Sequence, residues 1–482
     1  MRLCKGARRT IAYNHGMNDT ANPHRIDLAI IGGGAAGALT ALHLLRHAKA
    51  PLQVQLFEPA STLAEGIAYA TPAPQHLLNV PAGRMSALPD QPADFTGYLR
   101  QVDAFPQDDD ATLAGRFVPR RYYAAYLRQR LAEAEQASAA RLQVVAQAVL
   151  SLRPLDGVAR LELADGSAVD ARQVVLACGN SVRPIPLAGA DALPHESIAE
   201  AWDYDGVRLL AGDQAIGIIG SGLSMVDSVV ALFAAGQSGV LHVFSRHALM
   251  PLPHAHGAPA AYDPQPLLAM GLRARLRTLR RHAREAAAQG IPWQSVMERI
   301  RPLGKALWQT LDDADQRRFL RHVVRHWDVH RHRIAEEVHV QLRDALADGR
   351  LQLHRVRLQG VVETEAGLRL AALSHGAAVQ WDLGALVNAT GVETRAEGLR
   401  NPLLRQLLAE GIARPGPHGL GLDSEAAGDR LIDADGNARD AIGVLGSLRI
   451  GTLWESLAVP ELRQQAEDAA RHAVRELEAA MP

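Results

Sequence analysis

Three glycines near the start of the chain have the spacing of a phosphate-binding turn. The apolar run from Asp27 to Ile31 is followed by Gly32, Gly34 and Gly37, which fill the pattern G-x-G-x-x-G, and then by the helical pattern ALTALHLLRHA. The first glycine permits a tight turn, the second lets backbone approach a pyrophosphate, and the third lets the helix pack on the strand. The positive end of the helix then faces the phosphates. We therefore predict that this turn binds a dinucleotide.

A carboxylate stands where the same nucleotide would present its ribose. The next apolar strand, VQLFEP, ends in Glu58, which lies 21 residues beyond Gly37. An acid at that point accepts hydrogen bonds from ribose hydroxyls. A strand, turn, helix and second strand with a terminal acid together favour a nucleotide site over a purely structural glycine turn.

A second copy of the pattern lies almost two hundred residues later. In IGIIGSGLSMVD, the glycine positions are filled by Gly220, Gly222 and Met225, and the next strand, VLHVFSRH, ends in Ser245 and Arg246. The ribose-binding acid is missing there. An arginine suits a 2′-phosphate through charge-assisted hydrogen bonds. The second loop therefore predicts NADPH rather than NADH, whereas the first, with Glu58, predicts FAD.

The elements around the two loops predict how the chain is divided. Residues 142–179 and 351–391 both have the pattern of short strands that return to a buried strand ending in a small residue and glycine. We expect an α/β fold with two Rossmann-like dinucleotide-binding domains, in which a split FAD domain holds an inserted NADPH domain. The predicted segments are a disordered tail (1–24), the first FAD segment (25–210), the NADPH domain (211–385) with a helical insertion (about 260–345), and the second FAD segment (386–482).

Composition restricts the classes of function. The chain has 482 residues, 48% of them hydrophobic, and a formal net charge of −1, which gives no general attraction to nucleic acid or anionic membrane. No apolar run is long enough to span a membrane, and Met17 is an alternative start after a charged tail. We expect a cytoplasmic protein and leave a homo-oligomer open. The two cysteines, Cys4 and Cys178, cannot form C-x-x-C, which excludes a dithiol enzyme.

Three stretches carry a resemblance to a known family. They are GIAYATPAPQHLLNVPAGRMSALPD, FVPRRYYAAYL and GSLRIGTLWESLAVPELRQQA. These resemble a largely uncharacterised bacterial family of FAD/NAD(P)-binding proteins, similar in architecture to N-hydroxylating and other class B flavin monooxygenases. The resemblance covers about residues 25 to 470. Many such folds place an Asp after a C-terminal glycine to hold the ribityl chain, but here Ser447 follows Gly446.

Candidate site residues follow from these stretches. HLLNVPAGRM is the segment that we expect against the isoalloxazine, with Asn79 bonding flavin or substrate and His76 as an acid or base, although both residues also suit structural roles. Cys178 is explained by its small size. The helix in TLWESLAVPEL is expected to point its N-terminus at the flavin. Besides the glycines and acid of the first loop, the predicted flavin contacts are Gly66, Gly391 and Gly446.

Several basic residues keep two interpretations. His322, His326 and His330 recur at helical spacing, but without an acidic partner we favour a solvated or domain-facing helix over a metal site, and we predict no metal. Arg120 and Arg121 either position a phosphate or substrate carboxylate or make a salt bridge at the start of a helix. Arg325, Arg331 and Arg333 either grip a substrate carboxylate or belong to the solvated or domain-facing helix.

These expectations lead to one function and two rivals. The leading hypothesis is an NADPH-dependent FAD monooxygenase that transfers oxygen from O₂, through a flavin C4a-hydroperoxide, to the nitrogen or sulfur of a small polar metabolite. A second hypothesis is a reductase or dehydrogenase that passes electrons to a quinone or protein acceptor. A third is a flavin-binding sensor or assembly subunit without catalysis. Oxygen consumption distinguishes the three.

Overall fold

The computed structural model describes residues 24–481, so the predicted tail lies almost wholly outside the described residues. The first of its sheets has eight strands. Five run parallel, in the spatial order Arg141–Val145, Gln53–Phe57, His24–Ile31, Ala168–Leu176 and Ala438–Val444. Three antiparallel strands complete it: Val149–Leu155, Val158–Leu163 and Arg430–Ile432. The first sheet therefore combines strands from both ends of the chain, as a split domain requires.

The second sheet has five strands, and every pair in it is parallel. Its spatial order is Leu351–Arg355, Leu241–Ser245, Ile216–Ile219, Ala385–Asn388 and Ile198–Glu200. The central strand Ile216–Ile219 is buried at all four positions, because helices cover one face of the sheet and an antiparallel meander covers the other. A separate antiparallel meander, predicted from the sequence, consists of Arg357–Thr364, Gly367–Ser374 and Ala377–Leu383.

Two short strands mark where the chain crosses between the sheets. Ser181–Val182 pairs antiparallel with Val392–Glu393. Both Ile198–Glu200 and Ala385–Asn388 belong to the second sheet, so this sheet extends beyond the expected limits of 211 and 385 at both ends. The three-residue strand at 198–200 is too short to give a pattern in the sequence.

Helices cover the sheets and form the helical segment that was predicted around 260–345. The helix Ala35–His47 follows the first glycine loop and packs against the C-terminal helix Val459–Ala479. The remaining helices are Gly66–Tyr69, Asp94–Gln101, Asp110–Gly115, Arg120–Ala137, Tyr204–Leu209, Leu223–Ala234, Leu272–Ala288, Trp293–Ile300, Gly304–Gln309, Asp313–Arg318, Val324–Arg331, Glu336–Ala347, Pro402–Ala409 and Ile450–Leu453. None of the helices described between residues 24 and 481 has the length and apolar character that a membrane crossing requires.

Candidate nucleotide and redox site

The first loop has the backbone geometry that its glycines predict. Gly32 has a φ of +105°, and a Cβ added there would lie 2.3 Å from the carbonyl oxygen of Ala177. A Cβ at Gly37 would lie 1.8 Å from the oxygen of Gly32, so only glycine lets the helix pack this closely. The helix begins after Gly34 with no side-chain cap, which leaves its first N–H groups for a ligand. This cradle fits a pyrophosphate.

Glu58 is held beside the first loop by backbone groups. Its Oε2 accepts a hydrogen bond of 2.7 Å from the N–H of Gly33, and its Oε1 accepts one of 2.9 Å from the N–H of Ala60. The strand Gln53–Phe57 ends immediately before it, which brings the carboxylate to the same edge of the sheet as the loop. A carboxylate oxygen has more than one lone pair, so both oxygens retain capacity to accept hydrogen bonds from a ribose.

The second loop repeats the first at the level of individual hydrogen bonds. Gly220 has a φ of +112°, and an added Cβ would lie 2.2 Å from the oxygen of Ala389, just as Gly32 faces Ala177. Its N–H donates to Phe244 at 2.9 Å, which matches the bond from Gly32 to Phe57, also 2.9 Å. The two loops are therefore equivalent structures, each placed between the ends of parallel strands.

The third position distinguishes the two loops. Met225 occupies the place of Gly37, and its side chain is fully buried in the core of the second sheet. At this position the helix Leu223–Ala234 contacts the core of its sheet through a side chain, whereas the first helix contacts its loop through the backbone of Gly37. The space beside the Cα of Gly222 is open, because a Cβ added there would meet no heavy atom within 4 Å.

Positive charge collects beyond the strand that follows the second loop. Ser245 Oγ accepts a hydrogen bond of 2.9 Å from the N–H of Ala248, which shapes the turn that carries the exposed Arg246. Arg355 lies opposite Ser245 in the sheet register. Burial lowers the pKa of His247, and the neighbouring Arg246, His326, Arg325 and Arg355 lower it further. These four residues and His247 are called the basic cluster below, and the three guanidinium groups in it suit a phosphate.

Asp227, in the helix of the second loop, connects the two domains. Its carboxylate accepts two hydrogen bonds from Arg120, at 2.7 and 3.0 Å, and both side chains are largely buried. Its backbone oxygen lies 3.1 Å from Nε2 of His76. Of the two interpretations of Arg120, the salt bridge at the start of its helix is therefore the one observed. The neighbouring Arg121 is exposed, donates to the carbonyl of Pro72 at 3.5 Å and lies over the ring of Tyr122.

His76 is fully buried, and both of its ring nitrogens have partners. Because the carbonyl of Asp227 only accepts, Nε2 carries the proton, and Nδ1, at 2.6 Å from Thr71 Oγ1, accepts from that hydroxyl. Burial is the main cause that lowers the pKa of His76. Tyr204 covers the ring, with the centroids 5.0 Å apart. This environment is that of a neutral structural histidine, so His76 is not retained as an acid or base in the proposal below.

Asn79 lies in the same segment but is half-buried. Its backbone oxygen accepts a hydrogen bond of 3.0 Å from His254, whose pKa burial lowers to about 4. Within residues 24–481, its side-chain amide has no hydrogen-bond partner. Two further donors close to His254 also lack partners in that range, namely Nη1 of Arg301 and Nε of Arg333. Asn79 is therefore still available to a ligand.

The arginines of the helical segment are mostly engaged in ion pairs. Arg331, which is 5% exposed, donates to Glu455 at 2.6 to 2.9 Å. Arg333 pairs with Glu298, which also accepts from Arg84 at 2.5 Å. Arg331 and Arg333 are thus buried in ion pairs, as on a domain-facing helix rather than a solvated one. Among the histidines at helical spacing, His322 and His326 are exposed, as on a solvated helix.

The C-terminal segment differs from the single helix that was expected. The helix Ile450–Leu453 ends at Trp454, which has a φ of +61°, and the long helix starts only at Val459. Trp454 stacks on Trp308 of the helical segment with the centroids 5.1 Å apart. A non-glycine residue in this region is strained, and the aromatic contact holds it there.

Among the remaining predicted flavin contacts, Gly66 lies beside the first loop. An added Cβ on Gly66 would lie 3.3 Å from Cα of Gly34, so the two backbones approach closely. Ser447 Oγ donates to the carbonyl of Gly179 at 3.0 Å, which joins the C-terminal segment to the crossover. Gly446 and Gly391 both have positive φ, at 66° and 86°. Burial raises the pKa of Cys178 to about 12, which keeps this thiol protonated.

Comparisons with known proteins agree with this geometry. Residues 29–181 match the model of a family described as FAD-NAD(P)-binding, so the first segment is a FAD/NAD(P)-binding domain. No curated protein sequence matches the chain.

Solved structures resemble almost the whole chain. Ornithine hydroxylase of Pseudomonas aeruginosa, in reduced form, has a TM-score of 0.65 and 19% identity, with 94% of this chain and 99% of that chain covered. Ornithine N-hydroxylase of Kutzneria sp. 744, with FADred, NADP+ and L-orn, has a TM-score of 0.64 and 16% identity over 94% and 99%. Bacillithiol disulfide reductase of Staphylococcus aureus has a TM-score of 0.55 and 13% identity over 94% and 99%. At these identities the likeness confirms the α/β fold with two Rossmann-like domains.

Proposed function

We propose that the chain is a FAD-dependent oxidoreductase, reduced by NADPH, that transfers oxygen from O₂ to the nitrogen or sulfur of a small polar metabolite. One observation carries this proposal: the two glycine loops share one backbone geometry but have neighbours of opposite charge. Glu58 lies beside the first loop, whereas the basic cluster lies beside the second. A carboxylate favours the ribose of FAD, and the cations favour the 2′-phosphate of NADPH.

In the first domain, the chain's own groups serve to hold and orient the flavin nucleotide. Gly32, Gly34 and Gly37 provide the pyrophosphate cradle, and Glu58 orients the ribose. We keep Gly66, Gly391 and Gly446 as proposed flavin contacts, with Ser447 at the position of the usual acid. Bound FAD supplies hydride acceptance and oxygen activation. The protein contributes position and exclusion of water, which is consistent with the lack of a free acid–base pair around His76.

In the second domain, the basic cluster selects the nicotinamide nucleotide. Charge-assisted hydrogen bonds contribute about 1.5–3 kcal/mol each, or roughly 10- to 150-fold in affinity. We expect Arg246→Ser to weaken NADPH binding by about this factor and to leave NADH binding nearly unchanged. Arg357→Ser is the matched control, because Arg357 is also exposed and follows Arg355 by two residues. An equal loss for both nucleotides would remove the basis for NADPH selection.

A polar substrate is supported by the donors without partners around Asn79. The side-chain amide of Asn79 and the buried donors of Arg301 and Arg333 are grouped around His254. Buried donors normally have partners, and a substrate with acceptor atoms provides them. We assign Asn79 to a hydrogen bond with the flavin or the substrate.

Oxygen transfer is favoured over disulfide reduction by two points. The ornithine hydroxylases have the higher TM-scores, 0.65 and 0.64 against 0.55 for the disulfide reductase. Within the described part of the chain, the one cysteine is Cys178, whose pKa is raised to about 12 by burial. A thiol that stays protonated is a poor nucleophile.

The test is rapid mixing of the purified, NADPH-reduced protein with oxygenated buffer while the flavin absorbance is followed. We expect a transient species whose spectrum differs from those of reduced and oxidised flavin, first without substrate and then with a panel of amines and thiols. Direct return to oxidised flavin under all conditions, with fast turnover only when a quinone is added, would indicate the reductase. Failure of NADPH to bleach the flavin would indicate a non-catalytic flavin protein.

A further inference from the structure

A group of possible metal ligands lies away from the redox site, between the helix Ala35–His47 and the C-terminal helix. His43 and His47 are one helical turn apart and therefore share a face, and Glu467 approaches them from the other helix. One ligand atom from each residue lies within 4.8 Å of the other two. Two imidazoles and a carboxylate are a ligand set that suits zinc and similar divalent metals.

His43 has the orientation of a metal ligand. It is fully buried, and its Nε2 lies 3.1 Å from the carbonyl oxygen of Ala87, so this nitrogen carries the proton. Nδ1 is therefore an acceptor, and within residues 24–481 it has no partner. A ligating histidine usually donates its other N–H to a carbonyl in this way. A buried acceptor without a partner is otherwise costly. Burial also lowers the pKa of His43 to about 4, so the imidazole is neutral.

The other two residues complete a partly open site. The Nε2 atom of His47 lies 3.4 Å from Oε1 of Glu467, at ion-pair distance, and among residues 24–481 it has no partner with hydrogen-bond geometry. The His47 side chain is 21% exposed, which gives an ion a path from solvent, whereas Glu467 is largely buried. Arg471 competes for the carboxylate, with two hydrogen bonds of 2.7 and 3.1 Å to Oε1, but its own side chain is 55% exposed and free to turn away.

We propose that His43 Nδ1, His47 Nε2 and the carboxylate of Glu467 form a site for a divalent transition-metal ion such as Zn²⁺. The ion joins the helix that leaves the first glycine loop to the C-terminal helix, and so holds together the two segments of the split domain. Three protein ligands leave a fourth tetrahedral position for water. The site is independent of the proposed redox reaction.

The first experiment is titration of the flavin-loaded, metal-stripped full-length chain with Zn²⁺ against a chromophoric chelator, with Co²⁺ absorption as a second probe. We expect one ion per chain and a higher melting temperature with Zn²⁺. His47→Gln and Glu467→Gln should each weaken binding by about tenfold or more, as loss of even an outer-shell partner does. Flavin content and the melting temperature without metal establish that each variant is folded.

Two further variants make the assignment specific. Arg471→Gln should tighten Zn²⁺ binding, because it removes the cation that competes for the Glu467 carboxylate. His322→Gln removes an exposed histidine from the helical segment and should leave binding unchanged. Undiminished binding in His47→Gln, an equal loss in His322→Gln, or no tightening in Arg471→Gln would overturn the proposed site.

Discussion

Substitution of Gly222 by alanine should separate nucleotide binding from folding. Gly222 has a φ of −91° and a ψ of −160°, which alanine adopts without strain, and an added Cβ would meet no heavy atom within 4 Å. The free protein therefore tolerates the methyl group. Alanine also restricts the unfolded chain, so we expect the free energy of unfolding to stay constant or to rise by about 0.4–1 kcal/mol.

The same methyl group occupies the space through which the backbone approaches the pyrophosphate of NADPH. If it prevents one hydrogen bond from a backbone N–H to a phosphate oxygen, the loss is about 1.5–3 kcal/mol. We therefore expect the dissociation constant for NADPH to rise by roughly 10- to 150-fold, with FAD content unchanged. Anaerobic reduction of the flavin at increasing NADPH concentrations measures this constant.

Gly220→Ala is the matched comparison in the same loop. Gly220 has a φ of +112°, and an added Cβ would lie 2.2 Å from the backbone oxygen of Ala389. The left-handed conformation alone costs about 1–2 kcal/mol for an L-residue, and the clash with backbone adds to it. Urea unfolding should therefore show a large loss of stability for Gly220→Ala and none for Gly222→Ala. Equal destabilisation of the two variants, or wild-type NADPH binding by Gly222→Ala, would refute the account of the loop.

Three further outcomes follow from particular groups. Asp227→Asn leaves Arg120 largely buried without its ionic partner and should cost about 3–5 kcal/mol in chemical denaturation; a loss below about 1 kcal/mol would mean that the pair is effectively solvated. Burial opposes ionisation of Glu298, but neighbouring arginines outweigh it and lower its pKa from 4.5 to about 2. The stabilisation from this depressed pKa is present above pH 4.5 and is lost as the pH falls through about 2, so Glu298→Gln should be less stable at pH 7 and show a flatter acid limb in thermal unfolding. Cys178, with a pKa of about 12, should react slowly with thiol reagents at pH 8 in the folded protein, and Cys178→Ala should retain NADPH oxidation; rapid labelling would contradict the raised pKa.

The parts of the site that sequence could predict are those governed by local spacing. Gly32, Gly34 and Gly37 require a short strand before them and a helix after them, and all of these elements occur where the pattern indicates. The repeat at Gly220 was visible for the same reason, and its equivalence extends to the hydrogen bonds with Phe57 and Phe244. The sequence predicts these elements because each type of local backbone structure requires a particular spacing of apolar residues and glycines.

The parts that sequence could not predict depend on contacts between distant segments. The sequence suggested His76 as an acid or base because histidine often has that role, but its environment depends on Asp227, 151 residues later. The pair His43 and His47 was visible at helical spacing, yet its carboxylate partner Glu467 follows after more than four hundred residues. Trp454 interrupts an otherwise helical pattern because Trp308 packs against it. The spacing of residues in the sequence identifies side chains that share one helix or strand. Their partners on other helices and strands become known only from the fold.

Asp227 explains how a split chain can keep two nucleotides in register. It follows the second glycine loop on the same helix, and its carboxylate and carbonyl hold Arg120 and His76 of the first domain. Hydride transfer requires reacting atoms about 3–3.5 Å apart, so an error of 1 Å between the domains is costly. A bidentate ion pair that is largely buried fixes distance and angle together, more strictly than an apolar contact of the same area. We therefore infer that Asp227 serves domain alignment, and the nucleotide selection that we propose is left to the basic cluster at the end of the next strand.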